Sequence, residues 1–321
     1  MELRIEITKE NKQKIFSLIN ALLEGEAEVK PSFSMVRAQA RHDYLSIPDD
    51  IEGLENGNVM KYGTGEDRKL QLVGTWGQFN SFFPIKAALR ILANLMSESK
   101  KESINLREFV FRCTDIFRKV NIHNKKLSKY RGFPLRRKDS AIGRFVWHFL
   151  IPAQEMGLIK IAKSSLERAR YEGLPYSSND WNRVYVTITR EGLEFARLTN
   201  PLFDGEDMEQ VLGEDERKWM INFLKKIDKD GFREYSLLKD VFDFLTEGHD
   251  GKGELWSWFE NDQRFMNYVK SWSRKTGEPR KLKKQVANLA RTFSASKIAL
   301  LRELRIIRNK RGDYTLINEL K

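Results

Sequence analysis

The sequence contains a single cysteine, Cys113, so it can form neither an intramolecular disulfide nor a metal site built from several thiolates. Its four histidines are scattered, and none has a second ligand at the spacing that a metal site needs. We therefore expect no metal and no other cofactor, in a reducing compartment.

Long apolar runs and a secretory start are also missing. The N-terminal residues MELRIEITKEN carry acidic side chains where a signal peptide has a basic start and an apolar core. No apolar run approaches the length that spans a membrane. These absences predict an intracellular, cytoplasmic protein that makes no membrane contact.

Catalytic motifs are equally scarce, with no glycine-rich phosphate loop and no Ser-His-Asp or Cys-His arrangement. One short pattern, Asp49 after Pro48 followed by Asp67 and Lys69, resembles the metal-binding carboxylates and the water-positioning lysine of restriction-type nucleases. Because so short a pattern often arises by chance, we rank it below a role without catalysis and expect no enzyme activity.

What the chain does have is an uneven excess of positive charge. Its formal net charge is +12 over 321 residues. Residues 1–80 hold 10 Lys and Arg against 13 Asp and Glu, which leaves 47 against 32 for the rest of the chain. The positive field therefore lies outside the N-terminal segment, as expected if the later parts of the chain meet a polyanion.

A helix is predicted from Asp139, a good N-cap, to a stop at Gly157. Its apolar residues follow the i, i+3, i+4, i+7 spacing of one buried face, namely Ile142, Phe145, Val146 and Phe149. Arg144 and His148 fall on the opposite, polar side. Such a polar stripe faces either solvent or a groove in a partner.

Two strands and a short helix are predicted to follow. Leu158 to Ile161 form a short apolar run, and Val184 to Ile188 alternate apolar with polar residues. The long loop between them, Lys163 to Arg183, is expected to form an extended wing. Thr189 is placed to cap a helix that contains Gly192.

The order of these segments, a helix ending in MGLIKI, then a loop, then VYVTITREGLEFARL, resembles that of winged helix-turn-helix domains. The resemblance covers roughly residues 83–202. The resemblance implies that the helix from Asp139 is a recognition helix for double-stranded DNA. It also implies two preceding helices, for which Pro84 and the Asn105–Glu108 capping pair provide start signals.

A basic run without a single acidic residue lies just before the predicted recognition helix. In a helix-turn-helix this junction is where the helix N-terminus approaches the duplex. We predict DNA contact there, with a solvated loop as the alternative. The predicted DNA-binding residues of this module are Lys125, Lys126, Lys129, Arg131, Arg136, Arg137, Lys138, Arg144 and His148.

The C-terminal stretch resembles a second winged helix-turn-helix, over about residues 282–318. The sequence predicts a helix that includes Val286 and Ala290, followed by a turn at Phe293–Ser296. It then predicts a second helix through Ile298 to Leu304 and a hairpin. The turn glycine of the family is missing here. The predicted DNA-binding residues are Arg280, Lys281, Lys283, Lys284, Lys297, Arg302, Arg308, Lys310 and Arg311.

The sequence thus predicts a mainly α fold with small β-hairpin wings, an α+β class built from tandem winged-helix modules and a mixed N-terminal segment. The predicted domains are 1–80, of unknown role, a winged-helix domain at 81–205, and a helical domain at 213–321 that ends in the second module.

The favoured function is a non-enzymatic protein that binds double-stranded DNA, nucleoid-associated when bound, as a regulator of transcription or a subunit of a DNA-processing complex. One alternative is a plasmid- or virus-type initiator of DNA replication. The other is a nuclease, or a subunit of a DNA-processing or defence complex whose winged helices dock protein subunits or a second copy of the chain.

Overall fold

The computed structural model describes residues 45–48, 79–123, 143–162, 184–204, 211–229, 233–247, 252–263, 265–267, 269, 282–310 and 313–316. All of them belong to one compact unit, Arg41–Lys321. The described part is mostly helical, with a three-stranded and a two-stranded antiparallel sheet, which confirms the predicted class of mainly α structure with small β elements.

The first helix, α1, spans Phe83–Ser99 and starts with proline in its first turn, as predicted. It ends at Lys100, which adopts the left-handed conformation with φ 52°. Nearly every residue from Phe83 to Met96 is buried. This helix therefore lies at the centre of the core.

A two-residue strand, β1 at Ile104–Asn105, leads directly into α2, Leu106–His123. The Asn105 side-chain oxygen accepts hydrogen bonds from the backbone N–H of Arg107 at 3.0 Å and of Glu108 at 3.3 Å. The predicted cap at Asn105 is therefore confirmed.

The third helix is not a regular α-helix. Helical residues 143–145 run into a π-helical turn, Val146–Leu150, and then into α3, Ile151–Met156. Pro152 supplies the reason, because it has no N–H and its ring clashes with the carbonyl four residues earlier in a regular helix. The predicted stop is confirmed, since Gly157 has φ 82°.

Two strands follow, β2 at Ile159–Ala162 and β3 at Tyr185–Ile188, and the sheet order is β1–β3–β2. Helix α4, Arg190–Arg197, begins after Thr189, whose hydroxyl accepts from the Gly192 N–H at 3.1 Å as predicted. A Cβ on Gly192 would lie 2.0 Å from the Leu158 carbonyl oxygen. The glycine thus lets α4 touch the start of the sheet.

In the C-terminal half, the described residues include four longer helices and a hairpin. They are α5 at Glu214–Lys229, α6 at Glu234–Thr246, α7 at Lys252–Asn261, α8 at Leu282–Glu303, β4 at Ile307–Lys310 and β5 at Asp313–Leu316. The two strands pair antiparallel, which confirms the predicted hairpin.

The predicted turn at Phe293–Ser296 is wrong, because α8 runs through it without a break. No glycine or proline interrupts the segment, and Phe293 is buried. The Ser294 hydroxyl donates to the Ala290 carbonyl at 2.8 Å and that of Ser296 to the Phe293 carbonyl at 3.1 Å, so both serines are satisfied inside the helix. The predicted helix-turn-helix of the second module is therefore not formed by these residues.

One hydrophobic core includes residues of both predicted domains, 81–205 and 213–321. Buried charged side chains also join residues of the two predicted domains. The ammonium group of Lys86 on α1 lies 3.1 Å from a carboxylate oxygen of Glu216 on α5, and both side chains are fully buried. Lys86 also donates to the carbonyl oxygens of Phe195 and Leu198 at the end of α4.

Arg90, one turn further along α1, is fully buried and spends its guanidinium donors on four partners. Its Nε donates to the Ala196 carbonyl at 2.9 Å, while Nη1 and Nη2 form a bidentate pair with Asp204 at 2.7 and 2.5 Å. Nη1 also donates to the Leu45 carbonyl at 2.8 Å, and Nη2 donates to the Leu198 carbonyl at 2.7 Å. Two cations from α1 therefore cap the last carbonyls of α4, each balanced by one carboxylate.

Candidate nucleic-acid interface

The third helix presents two chemically different sides. Phe145, Val146 and Phe149 are buried, whereas Arg144 is exposed and His148 is half-buried. The orientation predicted from the apolar spacing is confirmed for these five residues. The helix thus offers a polar stripe to the outside while its aromatic side fills the core against α2, with the Phe117 and Phe145 rings 6.0 Å apart.

Exposed cations fall into two groups according to whether an acidic neighbour neutralises them. Within the described residues, four exposed basic side chains on α4, α5 and α6 form ion pairs with carboxylates: Arg190 with Glu194, Lys218 with Glu214, Lys226 with Glu191 and Lys239 with Asp243. A cation held this way has less to gain from a phosphate.

Arg144 belongs to the other group. It forms no ion pair with any described residue, and the same holds for exposed Arg118 on α2 and Lys160 on β2. These three cations come from the second helix, the third helix and the first wing strand. With Lys100 and Lys101, which are also exposed and form no ion pair with a described residue, they remain available to a polyanion.

Lys297 was predicted to contact DNA, and this is wrong. Its side chain is fully buried on α8, and its ammonium group donates to the equally buried Glu234 on α6 at 2.6 Å. Burial lowers the pKa of Lys297, opposed by the charges of Glu234 and Glu155. A lysine that neutralises an interior carboxylate cannot reach a phosphate on the surface.

The other described cations of the C-terminal prediction do reach the surface. Arg302 in the last turn of α8 and Arg308 on β4 are exposed. The backbones of Lys283, Lys284 and Lys310 lie in α8 and β4, but their side chains are outside the described part. Also outside it are Lys125, Lys126, Lys129, Arg131, Arg136, Arg137, Lys138, Arg280, Lys281, Arg311 and the nuclease-like residues Asp49, Asp67 and Lys69.

Helices α3 and α8 end in the same type of capping motif, and this similarity was not predicted from the sequence. After α3, the Gly157 N–H donates to the Gln154 carbonyl at 2.9 Å and that of Leu158 to Ala153 at 2.8 Å. After α8, the Arg305 N–H donates to the Arg302 carbonyl at 3.0 Å and that of Ile306 to Leu301 at 2.9 Å. Both are Schellman motifs, and Arg305 takes the left-handed position of the glycine with φ 56°.

This correspondence has a sequence signal. Met156-Gly157-Leu158-Ile159 and Leu304-Arg305-Ile306-Ile307 share the pattern of one apolar residue, a cap residue and two apolar residues. In both places the apolar residues are buried. The pattern could have located the end of α8 without a glycine.

An open concavity lies beside α2, lined by Asn105, Arg107, Glu108, Phe111, Arg112 and Asp115. The Arg107 guanidinium lies 5.3 Å from the centre of the Phe111 ring. The lining mixes both signs of charge, so it favours no polyanion. Within the described residues, no group of three or more His, Cys, Asp or Glu side chains is arranged to hold a metal ion.

No protein-family model matches the chain, and neither a curated protein nor a solved structure is similar to it. None of the helices in the described part combines the length and apolar character needed to cross a membrane.

Proposed function

We propose that the chain binds double-stranded DNA without catalysis, and that residues 81–205 form a winged-helix module whose third helix enters a groove. The observation that carries the proposal is Arg144, which is exposed and forms no ion pair with a described residue, on a helix whose opposite side, Phe145 and Phe149, is buried in the core. Such a helix presents a fixed cationic edge to a partner.

The element order supports the same reading. Helix α1, strand β1, helix α2, the third helix and strands β2 and β3 follow one another, and β3 lies between β1 and β2. This is the order that a winged helix requires. The acid-free basic run from Lys125 to Lys138 directly precedes the third helix in the sequence and supplies the charge for phosphate contacts.

We propose that the C-terminal helix and hairpin make a second, smaller contact with the DNA. Arg302 and Arg308 are exposed on α8 and β4. Since α8 lacks the predicted turn, this contact is a helix followed by a hairpin. A regulator or a subunit of a DNA-processing complex fits the proposal, and a replication initiator remains its alternative.

The test is the salt dependence of binding to a fluorescent duplex of mixed sequence. Replacing Arg144 by Ala should weaken binding and reduce the slope of log K against log salt by about 0.9 for one lost phosphate contact. If Arg144 reads a base edge instead, affinity should fall with the slope unchanged.

Arg190→Ala is the matched control, because Arg190 is also exposed but already paired with Glu194 at 3.2 Å. It should leave affinity and slope as in the wild type. Equal losses in both variants, or no duplex binding by the wild-type chain at low salt, would overturn the proposal.

A further inference from the structure

The exposed side chains of helix α8 form a single stripe. Within the described part of the helix they are those of Asn288, Arg291, Ala295 and Arg302. Their spacing of three, four and seven positions returns each time to the same side of an α-helix. Lys297, on the opposite side, is fully buried. The two charged side chains of the stripe, Arg291 and Arg302, therefore face solvent in the same direction.

The stripe carries positive charge that no described carboxylate pairs with. Glu303 is the one acidic residue in the sequence of α8, and both its oxygens accept hydrogen bonds from residues 81–83 at the start of α1. Neither Arg291 nor Arg302 forms an ion pair with a described residue. A polyanion could therefore reach both arginines without displacing a carboxylate of the described part.

Arg291 is also held in place by a neighbouring helix. Its guanidinium lies over the ring of half-buried Trp256 on α7, 4.8 Å from the ring centre, within the about 6 Å at which a cation is attracted to an indole face. Helix α7 packs on α8, with the Phe259 and Phe293 rings 6.2 Å apart. A guanidinium on a ring keeps its N–H donors, which lie in its own plane, for other partners. Trp256 thus fixes an exposed cation and leaves its donors to an anion.

The distance between the two arginines fits separate phosphates of one backbone. They are eleven positions apart, which puts their Cα atoms about 16 Å apart along α8. Each strand of a duplex carries one phosphate per about 3.4 Å of its axis, so this length spans several phosphates. Between the arginines the stripe presents Ala295, whose methyl group does not hold a backbone away from the helix.

We propose that α8 lies along the sugar–phosphate backbone of a duplex through Arg291 and Arg302, and that Trp256 is the positioning residue of Arg291. The inference deepens the proposed function, on which it rests for the identity of the polyanion. Because phosphate contacts carry no sequence information, this helix holds every duplex alike. An anionic membrane fits less well, since the apolar side of α8 is buried and cannot enter a bilayer.

The first experiment measures binding of the full chain to two fluorescent duplexes of equal length and different sequence, at several salt concentrations. Arg291→Ala should weaken binding to both duplexes equally, by about tenfold, and lower the slope of log K against log salt by about 0.9. Combined with Arg302→Ala, it should lower the slope by about 1.8, because the two arginines contact separate phosphates.

Lys239→Ala is the matched control, because Lys239 is an exposed cation on α6 that is already paired with Asp243 at 2.6 Å. It should leave affinity and slope as in the wild type. An equal loss in Lys239→Ala and Arg291→Ala overturns the inference. So does a loss in Arg291→Ala that is confined to one duplex, since that is base reading.

The second experiment tests Trp256 through Arg291. Trp256→Leu should weaken duplex binding about twofold to fivefold and keep the salt slope, because the charge remains but is no longer held in place. Trp256→Phe should restore most of the affinity. In the Arg291→Ala background Trp256→Leu should change nothing further. Equal losses in both backgrounds, measured where urea unfolding shows the variants to be folded, would mean that Trp256 acts on the fold and does not position Arg291.

Comparison with Arg144→Ala separates this inference from the proposed function. If Arg144→Ala weakens binding and Arg291→Ala does not, the contact of α8 is overturned and the third helix keeps its role. If only Arg291→Ala weakens binding, α8 contacts the backbone and the groove role of the third helix fails. Unchanged duplex binding by Arg291→Ala with lost binding to phosphatidylserine vesicles overturns the inference in favour of a membrane surface.

Discussion

Glu303, the last residue of α8, caps the start of α1 from 221 positions away in the chain: the Phe82 N–H donates to its Oε2 at 2.7 Å. The Phe83 N–H and the Ser81 hydroxyl donate to Oε1 at 3.0 and 2.6 Å. The residue at the helix start, Phe82, has no capping side chain of its own. The C-terminal helix therefore completes the hydrogen bonding of the first one.

This cap predicts a pH-dependent stability. Burial raises the pKa of Glu303 to about 7, although the hydrogen bonds from Ser81, Phe82 and Phe83 oppose the shift. A carboxyl whose pKa is raised by folding contributes most below its unfolded pKa, near 4.5, and loses that contribution as the pH rises through about 7. Relative to Glu303→Gln, the wild type should therefore lose on the order of 1–2 kcal/mol of unfolding free energy between pH 5 and pH 8.

Urea unfolding of both proteins across that pH range measures the difference. Subtracting the variant removes the titration of Lys86 and Glu216, which both proteins share. A difference that grows with pH instead would mean that the three donors outweigh burial and hold the pKa of Glu303 below its usual range.

The pair of Lys86 and Glu216 predicts a strong coupling. Burial lowers the pKa of Lys86 and raises that of Glu216, so each charge depends on the other. Lys86→Met should cost about 3–5 kcal/mol, because it leaves a buried carboxylate without its cation. The double variant Lys86→Met with Glu216→Gln should recover a large part of the loss. A double-mutant cycle by urea unfolding measures the coupling, and additive effects would contradict it.

Gly192 predicts a steric effect that a comparison with a second buried glycine, Gly213, tests. Gly192→Ala would place a Cβ 2.0 Å from the Leu158 carbonyl oxygen, so α4 must move away from the sheet. We expect a loss of at least about 2–3 kcal/mol. Gly213→Ala is the control, because its nearest atoms lie at 3.3 Å and would need to move by only a few tenths of an ångström. Similar unfolding midpoints for the two variants would show that α4 shifts freely.

Local signals in the sequence were sufficient to predict much of the secondary structure of the first module. The spacing of Phe145 and Phe149, the caps at Asn105 and Thr189 and the stop at Gly157 act over one helical turn, and all are confirmed. The π-helical turn was missed although Pro152 marks it, because a proline within an apolar run changes the hydrogen bonding without changing the spacing.

The long-range contacts had no such signal. Lys86, Arg90 and Glu303 look like ordinary surface charges in the sequence, and their burial depends on partners more than 100 positions away. The serines of α8, by contrast, gave a local signal that led to a wrong prediction of a turn. Ser294 and Ser296 are typical of turns, yet inside a buried helix their hydroxyls bond the preceding carbonyls.

The contrast between Lys297 and Arg302 predicts two separable effects on one helix. Lys297 is buried against Glu234 at 2.6 Å, so Lys297→Met should destabilise the fold by about 3–5 kcal/mol. Under conditions where the variant is still folded, it should bind a duplex as the wild type does.

Arg302, five residues later, is exposed, so Arg302→Ala should leave the urea midpoint nearly unchanged. If the C-terminal helix contacts the backbone, the variant should bind more weakly and lower the salt slope by about 0.9. Binding assays at several salt concentrations, beside urea unfolding of the same samples, separate the two residues. Weaker duplex binding by folded Lys297→Met with no effect of Arg302→Ala would mean that the helix reaches DNA by a different face, which the burial of Lys297 opposes.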